Sequence, residues 1–268
     1  MSSLLYSPTP DLELIGKGRI FLDRFTSAGV RTGNYIALGN CGKFSVSVKP
    51  DVKKSYNAMT HSAGVYKTAT ARQDVSLKIE GFEFGPDAAA LAVMSDLPTI
   101  LTATGASVSG EALAAAGLQK HGRAYQTLQR EVSALVLTQG ATTLVNNVDY
   151  VLYDAHAGIV YFPETGNVVD TSAVTAAYTA GAILAAANQA QVLGAQVSQI
   201  RGQLYFVGDP TTGPNWEVLV PRVFLVPTGE QDFISEDFLK WTLEGTIEDN
   251  TAFNPLIPYF QATRRVNA

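Results

Sequence analysis

The side chains that could act as nucleophiles or metal ligands are few and lie far apart in the sequence. The chain has one cysteine, Cys41, and three histidines, His61, His121 and His156. No His-x-His or His-x-x-x-His pair occurs, so the ligand spacings typical of zinc sites are missing. A Cys41 nucleophile would need a distant histidine as its base, and the glycines around Cys41 instead indicate a turn.

Two pairs of carboxylates could in principle perform acid and base chemistry. Asp149 and Asp154 are five residues apart, which puts them on opposite faces of any strand that they share. Glu244 and Glu248 do share a face, but such chemistry also needs a cleft and shifted pKa values. An exposed acidic strand face is the interpretation that the sequence favours for Glu244 and Glu248.

The glycine motifs of nucleotide sites and serine hydrolases are absent. No Gly-x-x-x-x-Gly-Lys-Ser/Thr loop occurs, and Gly16-Lys17-Gly18 leads into a strand rather than a helix. The glycines at Gly105 and Gly110 have the wrong spacing for a Gly-x-Ser-x-Gly elbow. The sequence therefore predicts that the chain is not an enzyme and needs no cofactor or metal.

Composition narrows the class of protein further. Only 16% of the 268 residues are charged, where about 25% is usual, and the net charge is -5. These values exclude an ordinary basic nucleic-acid binder and a highly charged disordered chain. Interface cores are depleted in charge, so burial in an assembly is one reason for the shortage.

The sequence also bears on cellular location. A single cysteine excludes a disulfide framework and fits a reducing compartment. The most apolar run, 174–187, is too short and too interrupted to span a membrane. The N-terminus lacks a basic start and a long apolar stretch, so we expect no secretory signal.

Alternation of apolar and polar residues is the dominant structural signal, and it predicts half-buried strands at 43–49, 74–80 and 239–247. A hairpin turn is expected at 154–158, and Pro221 indicates an edge or a bulge. One short buried helix is predicted at 86–95, and 184–193 fits either a helix or an irregular strand. Weaker strand signals cover 18–25, 125–137, 149–153, 159–162, 173–179, 204–207 and 216–226.

These elements predict a mainly β protein built as one sandwich or barrel-like domain with one short buried helix. The domain would span 18–253, because no clean linker or fixed repeat divides it. Residues 1–17 and 254–268 would be extended N-terminal and C-terminal arms, since their prolines favour extended chain.

A long connection without clear alternation, 51–72, is predicted between two strands. Connections of this length are usually functional or disordered. It holds four basic residues and one acid, whereas 230–249 holds seven acids and one lysine. The two segments could pair between copies of the chain, although charge runs are also typical of solvated surface. The candidate contact residues are Lys53, Lys54, Tyr56, Met59, His61, Tyr66, Lys67 and Arg72.

The order of these segments resembles that of the tail tube proteins of long-tailed bacteriophages. No segment is specific by itself, and the most telling local match is Asp149-Tyr150 before a hairpin. The matching segments, which span most of the chain, are 18–24, 35–40 with the strand at Phe44, the long loop, the strand at Val75 with the helix at 87–94, 149–151 with 158–160, the Tyr178 strand, 221–225, and 234–238 leading to 243–245.

The resemblance implies a structural virion protein located in the phage tail and assembled in the host cytoplasm. Such subunits form hexameric rings that stack into a tube, through which the genome passes into the host. The 51–72 loop would reach a neighbouring subunit, and Glu244 and Glu248 would be acids facing the lumen. Partners would be other copies, the tape measure, terminator and baseplate or tip proteins, and DNA in transient passage.

Two other interpretations stay open on the sequence alone. The inner tube of a tailocin or contractile secretion system would share the ring architecture. An adhesion or carbohydrate-binding β-sandwich would instead present an exposed aromatic platform and would not polymerise.

Overall fold

The computed structural model describes residues 13–59, 61 and 64–265, and these form two compact units. The first unit contains 13–98 and 192–265, and the second is Thr99–Gln191. The sequence predicted one domain over 18–253, and the second unit is an insertion within that range. No shift in composition marks its two boundaries.

The protein is mainly β, with several antiparallel sheets and one short α-helix among the described residues. The helix α1 is Pro86–Ala92. The strands are β1 Gly18–Phe25, β2 Arg31–Ala37, β3 Cys41–Tyr56, β4 Val65–Gly81, β5 Thr99–Ile100, β6 Ala106–Ala114, β7 Arg123–Gln126, β8 Val132–Gln139, β9 Thr142–Thr143, β10 Val151–Asp154, β11 Ile159–Phe162, β12 Val174–Ala180, β13 Ala190–Gln191, β14 Ile200–Gly208, β15 Asn215–Pro227, β16 Trp241–Ile247 and β17 Gln261–Arg265.

One strongly curled sheet forms the first unit. Its strand order is β2-β1-β14-β15-β16-β4-β3, and β17 also pairs with β15. In a flat sheet β3 and β14 would lie about 19 Å apart, because three strands separate them. The rings of Phe44 on β3 and Phe206 on β14 nevertheless stack with centroids 5.3 Å apart. The sheet therefore closes around its own apolar face.

Helix α1 fills part of this closed face. Pro86 occupies the first turn, Asp87 supplies an acid there, and Ala88 and Leu91 are buried in the core. The sequence predicted this helix at 86–95; its start is confirmed, but its predicted end is wrong, because the helix ends at Ala92 and Met94 adopts a φ of 55°. The other core members are Leu38, just beyond β2, and residues of the sheet strands: Ile20, Leu22, Val75, Leu77, Ile79, Ile200, Leu204, Val220, Val223, Leu225, Trp241, Leu243 and Ile247.

The second unit has its own core and three small sheets. Their strand orders are β6-β12-β8-β9, β10-β11-β7 and β13-β5. Buried Val160, Phe162, Val174 and Tyr178 belong to one apolar cluster. The predicted turn at 154–158 joins β10 to β11 and is confirmed. The region 184–193 holds a short 3-10 turn at Ala185–Ala187 followed by β13.

The predicted loop at 51–72 is wrong as secondary structure. Strand β3 continues through Pro50 to Tyr56, and β4 begins at Val65, so most of this region is a β-hairpin. Proline is tolerated there because β3 is the outermost strand of its sheet. Alternation fails as a signal here because neither face of the hairpin is buried at this point.

The predicted terminal arms are only partly described. Residues 1–12 and 266–268 lie outside the described residues. The Ile15 N–H donates to the Thr212 carbonyl at 3.2 Å, so the end of the predicted N-terminal arm contacts the first unit. Within the predicted C-terminal arm, Gln261–Arg265 are extended and pair with β15 as the antiparallel strand β17.

Candidate functional site

The eight predicted contact residues lie together on the outer part of the β3–β4 hairpin. Strand β16 pairs with β4 from Ser76 to Gly81. From Val75 back toward the turn, the described strands of the hairpin pair only with each other. We call the described residues of 49–74 the ribbon and the remaining parts of β3 and β4 the base. Six candidates lie on the ribbon strands and two, Met59 and His61, lie in the connecting turn.

The ribbon exposes large apolar side chains at its outer end. Tyr56 is 60% exposed, Tyr66 77% and Met59 95%, and no described residue of the ribbon is buried. Tyrosine and methionine are enriched at protein interfaces. Their grouping at one end of a projecting hairpin is therefore typical of a contact surface.

Charge is unevenly distributed along the ribbon. Near its root the Asp51 carboxylate lies 3.2 Å from the Lys53 ammonium and 3.5 Å from the Arg72 guanidinium. Lys54 and Lys67, which lie closer to the turn, have no ion pair among the described residues. The outer end of the ribbon is thus both apolar and basic.

The strand path of the sheet in the first unit ends at β2 and β3, and among the described residues β17 pairs with β15 alone. Along its outer side β3 has no strand partner among the described residues, over the whole length Cys41–Tyr56. Unpaired backbone N–H and C=O groups on such an edge are a template for pairing with another chain. The hairpin therefore offers backbone groups as well as side chains for contacts.

Glu244 and Glu248, predicted as an acidic face, are neutralised by cations from other strands. A Glu244 carboxylate oxygen lies 3.1 Å from the Lys78 ammonium, and this hydrogen bond is the main reason that the pKa of Lys78 is raised. Glu248 lies just beyond β16, with its carboxylate 3.2 Å from Arg201 and 3.5 Å from Arg222. The face is close to neutral, and the lumen-facing role of both acids stays a prediction.

An aromatic patch on the same sheet was not predicted. Phe21, Tyr35, Tyr205 and Leu219 line an open cavity of about 430 Å³. The Tyr35 hydroxyl accepts a hydrogen bond from Gln203 Nε2 at 2.7 Å, which fixes the ring. The four residues are contributed by four different strands, so no local pattern in the sequence could have brought them together.

The residues with catalytic side chains remain dispersed. Burial, and after it the Glu83 carboxylate, raises the pKa of the Cys41 thiol to about 11, so the thiol is protonated at neutral pH. His156 Nδ1 lies 2.8 Å from Glu131 Oε2, and His121 Nε2 lies 3.0 Å from the Gly166 carbonyl oxygen. Within the described part of the chain no group of three His, Cys, Asp or Glu could hold a metal ion.

Buried polar groups in the second unit organise its turns. The Lys120 ammonium is fully buried and donates to the carbonyl oxygens of Ala115, Leu118 and Asp170 at 2.8–3.2 Å. Asp149 accepts backbone hydrogen bonds from Val145 and Asn167, which lower its pKa. The hydrogen-bond partners of both side chains are groups of the second unit itself, so we assign Lys120 and Asp149 a structural role.

The comparison with known proteins identifies a family. The family model described as "Protein of unknown function UCP028589" matches residues 13–255, which include the whole second unit and most of the first. No curated protein matches the chain. Among the described residues no helix is long and apolar enough to cross a membrane.

Because the family model matches residues 13–255, which are most of the chain, the chain belongs to the family UCP028589.

Proposed function

We propose that this protein is a structural subunit whose copies assemble into the stacked hexameric rings of a phage tail tube. The observation that carries the proposal is the ribbon, a basic and aromatic hairpin end on which no described residue is buried. The resemblance in segment order supplies the identity of the assembly, and the ribbon supplies a physical means of contact between copies.

The energetics of the ribbon support a role in contacts. A two-stranded hairpin is marginally stable in water and gains stability from a third strand or a covering surface. The eight residue pairs from Lys49 to Tyr56 extend about 25 Å beyond the base. A projection of this length can reach a neighbouring molecule, where burial of Tyr56, Met59 and Tyr66 would stabilise it.

The charge balance of the sheet supports the passage of DNA through such a tube. Protein affinity for DNA grows with each phosphate that a lysine or arginine neutralises. On this sheet Lys78, Arg201 and Arg222 already pair with Glu244 or Glu248. A surface whose cations are compensated in this way would hold the phosphates weakly and let the DNA move.

The test is negative-stain electron microscopy of the purified protein at rising concentration. We expect rings and tubes from the wild type. A shortened variant that lacks 53–69 has an Asn-Gly turn that joins Val52 to Thr70. It should fold, because Val52 and Thr70 are directly paired across the hairpin. It should form no tubes, because the outer end of the ribbon is gone.

Tyr153→Ser is the matched control, since Tyr153 is a 78% exposed aromatic residue of the second unit, and it should assemble like the wild type. A wild type that stays monomeric at every concentration would contradict the proposal. Unchanged tubes from the shortened variant would contradict the role of the ribbon.

A further inference from the structure

A second exposed apolar surface lies at residues 228–239, within the connection 228–240 between β15 and β16. Phe233 is 71% exposed, Ile234 96% and Phe238 91%. Residues 228–239 carry four acids, Glu230, Asp232, Glu236 and Asp237, and the one basic residue of the connection, Lys240, follows them. We call 228–239 the acidic segment. Large apolar side chains that are almost fully exposed need a partner to bury them.

The acidic segment borders a cavity that is open to a guest. This cavity of about 610 Å³ is lined by Asn40, Phe82, Glu83, Asp237, Phe238 and Lys240. The Phe233 ring packs edge-on against Phe84 at 6.1 Å between centroids, so the segment is held on the body of the first unit. Lys240 Nζ already lies 5.7 Å from the centre of the Phe82 ring, so the Phe238 ring beside Asp237 is the aromatic face left for a guest that is both cationic and aromatic.

The ribbon of the same chain is at the opposite end of the sheet. Trp241, which follows the acidic segment, pairs with Gly81 at the end of β4, whereas the ribbon turn precedes Val65 at its start. Strand β4 has 17 residues, so these two ends lie about 50 Å apart. The ribbon therefore cannot occupy the cavity beside its own acidic segment.

We propose that the acidic segment of one copy receives the ribbon end of a second copy. The ribbon brings Lys54, Lys67 and the side chains of Tyr56, Met59 and Tyr66, and the acidic segment brings four carboxylates and exposed phenylalanines. Opposite charges select this pairing, and the aromatic and methionine side chains bury each other.

This pairing rests on the proposed function and specifies its stacking contact. Because the two surfaces lie at opposite ends of the sheet, each copy keeps one of them unoccupied after the first contact. Such a head-to-tail contact repeats along one direction and produces an open stack.

The test is charge reversal at each surface, followed by sedimentation velocity and negative-stain microscopy. K54E/K67E and E236K/D237K should each raise the concentration needed for stacking by about 30-fold or more, because like charges then face each other. A chain with all four changes should return to within about threefold of the wild type, since opposite charges face each other again.

Mixing K54E/K67E and E236K/D237K in equal amounts tests the contact without a further variant that would itself have to fold. The reversed ribbon of one variant fits the reversed acidic segment of the other, so the mixture should stack although neither component does so alone. The control is R123E/R130E, which makes the same charge change as K54E/K67E on two exposed residues of the second unit. It should stack like the wild type.

The outcomes separate this inference from the proposed function. If E236K/D237K stacks like the wild type, or if the mixture and the fourfold variant stay defective, the acidic segment is not the receptor, while wild-type tubes still support the proposed function. If the wild type never associates, both are overturned.

Discussion

The two parts of the β3–β4 hairpin share one ladder of paired strands but have opposite surroundings. In the base, Val75, Leu77 and Ile79 are buried, and β16 pairs with β4 from Ser76 onward. In the ribbon no described residue is buried and no third strand is paired among those described. The same backbone geometry thus continues from a packed core into solvent.

This contrast shows where the stability of the hairpin originates. Burial of the apolar face of the base holds the two strands together, because a hairpin alone is only marginally stable. The ribbon adds length without adding to the core. Its sequence is therefore released from the requirements of packing and can serve contacts with other molecules.

The largest expected effect is that of a core truncation in the base. Ile79→Ala should lower the free energy of unfolding by about 2–5 kcal/mol, because it leaves a cavity at a fully buried position. Val65→Ala in the ribbon, at a 53% exposed position, should change it by no more than about 0.5 kcal/mol. Urea unfolding followed by tryptophan fluorescence measures both, since Trp216 and Trp241 lie in the first unit. Equal losses would remove the distinction between base and ribbon.

Two glycines of the same hairpin sharpen the comparison with a smaller effect. A Cβ added at Gly81 would lie 2.1 Å from Trp241 Cζ2, so Gly81→Ala should destabilise the first unit by about 1–3 kcal/mol. A Cβ at Gly64 would meet no atom of the described residues within 4 Å. Gly64→Ala should therefore cause no loss, and restriction of the unfolded chain should stabilise the unit by up to about 1 kcal/mol. The same urea titration decides, and a destabilised Gly64→Ala would show that the ribbon is packed.

The smallest effects distinguish an acid of the sheet from an acid of the ribbon. Asp23 on β1 is fully buried, and burial alone would raise its pKa. Hydrogen bonds from the Thr32 hydroxyl and from the backbone of Gly33 and Thr32 together outweigh burial, so the pKa of Asp23 is lowered. Asp23→Asn should cost about 1–2 kcal/mol at neutral pH, because asparagine has one acceptor oxygen fewer. Asp51→Asn should cost less than about 1 kcal/mol, because exposed ion pairs stabilise weakly.

The pH dependence of this last comparison has a defined sign. The folded pKa of Asp23 lies below the ordinary aspartate value of 3.8, so its stabilisation is fully present above that pH and is lost as the pH falls toward the folded value. The difference between wild type and Asp23→Asn should therefore shrink on acidification. Urea midpoints measured between neutral and acid pH test this, and a difference that grows in acid would contradict it.

Local signals in the sequence located many elements of the fold correctly. Strands β1 and β11 have the predicted limits, and Pro221 lies at a register shift between β14 and β15. These predictions succeed because alternation and chain-breaking residues act over a few neighbouring positions. The single strand predicted at 125–137 is two strands, β7 and β8, and strands β2, β6 and β17 were missed because their alternation is weak.

The candidate site was predicted only in composition. The sequence indicated that 51–72 is basic and rich in contact residues, but not that it forms strands, because a hairpin with two exposed faces has no alternating pattern. The aromatic patch around Tyr35 and the cavity beside Phe238 were also missed, since their members come from separate strands and loops.

The sequence by itself determined the β class, the shortage of charge and the separation of basic and acidic segments, because these follow from residue types and short-range order. Only the tertiary structure decided what those charges face. Strand register places Lys78, Arg201 and Arg222 beside Glu244 and Glu248, and it sets the ribbon and the acidic segment at opposite ends of β4. Pairing between strands distant in sequence fixes these distances, and electrostatic interaction depends on distance rather than on order along the chain.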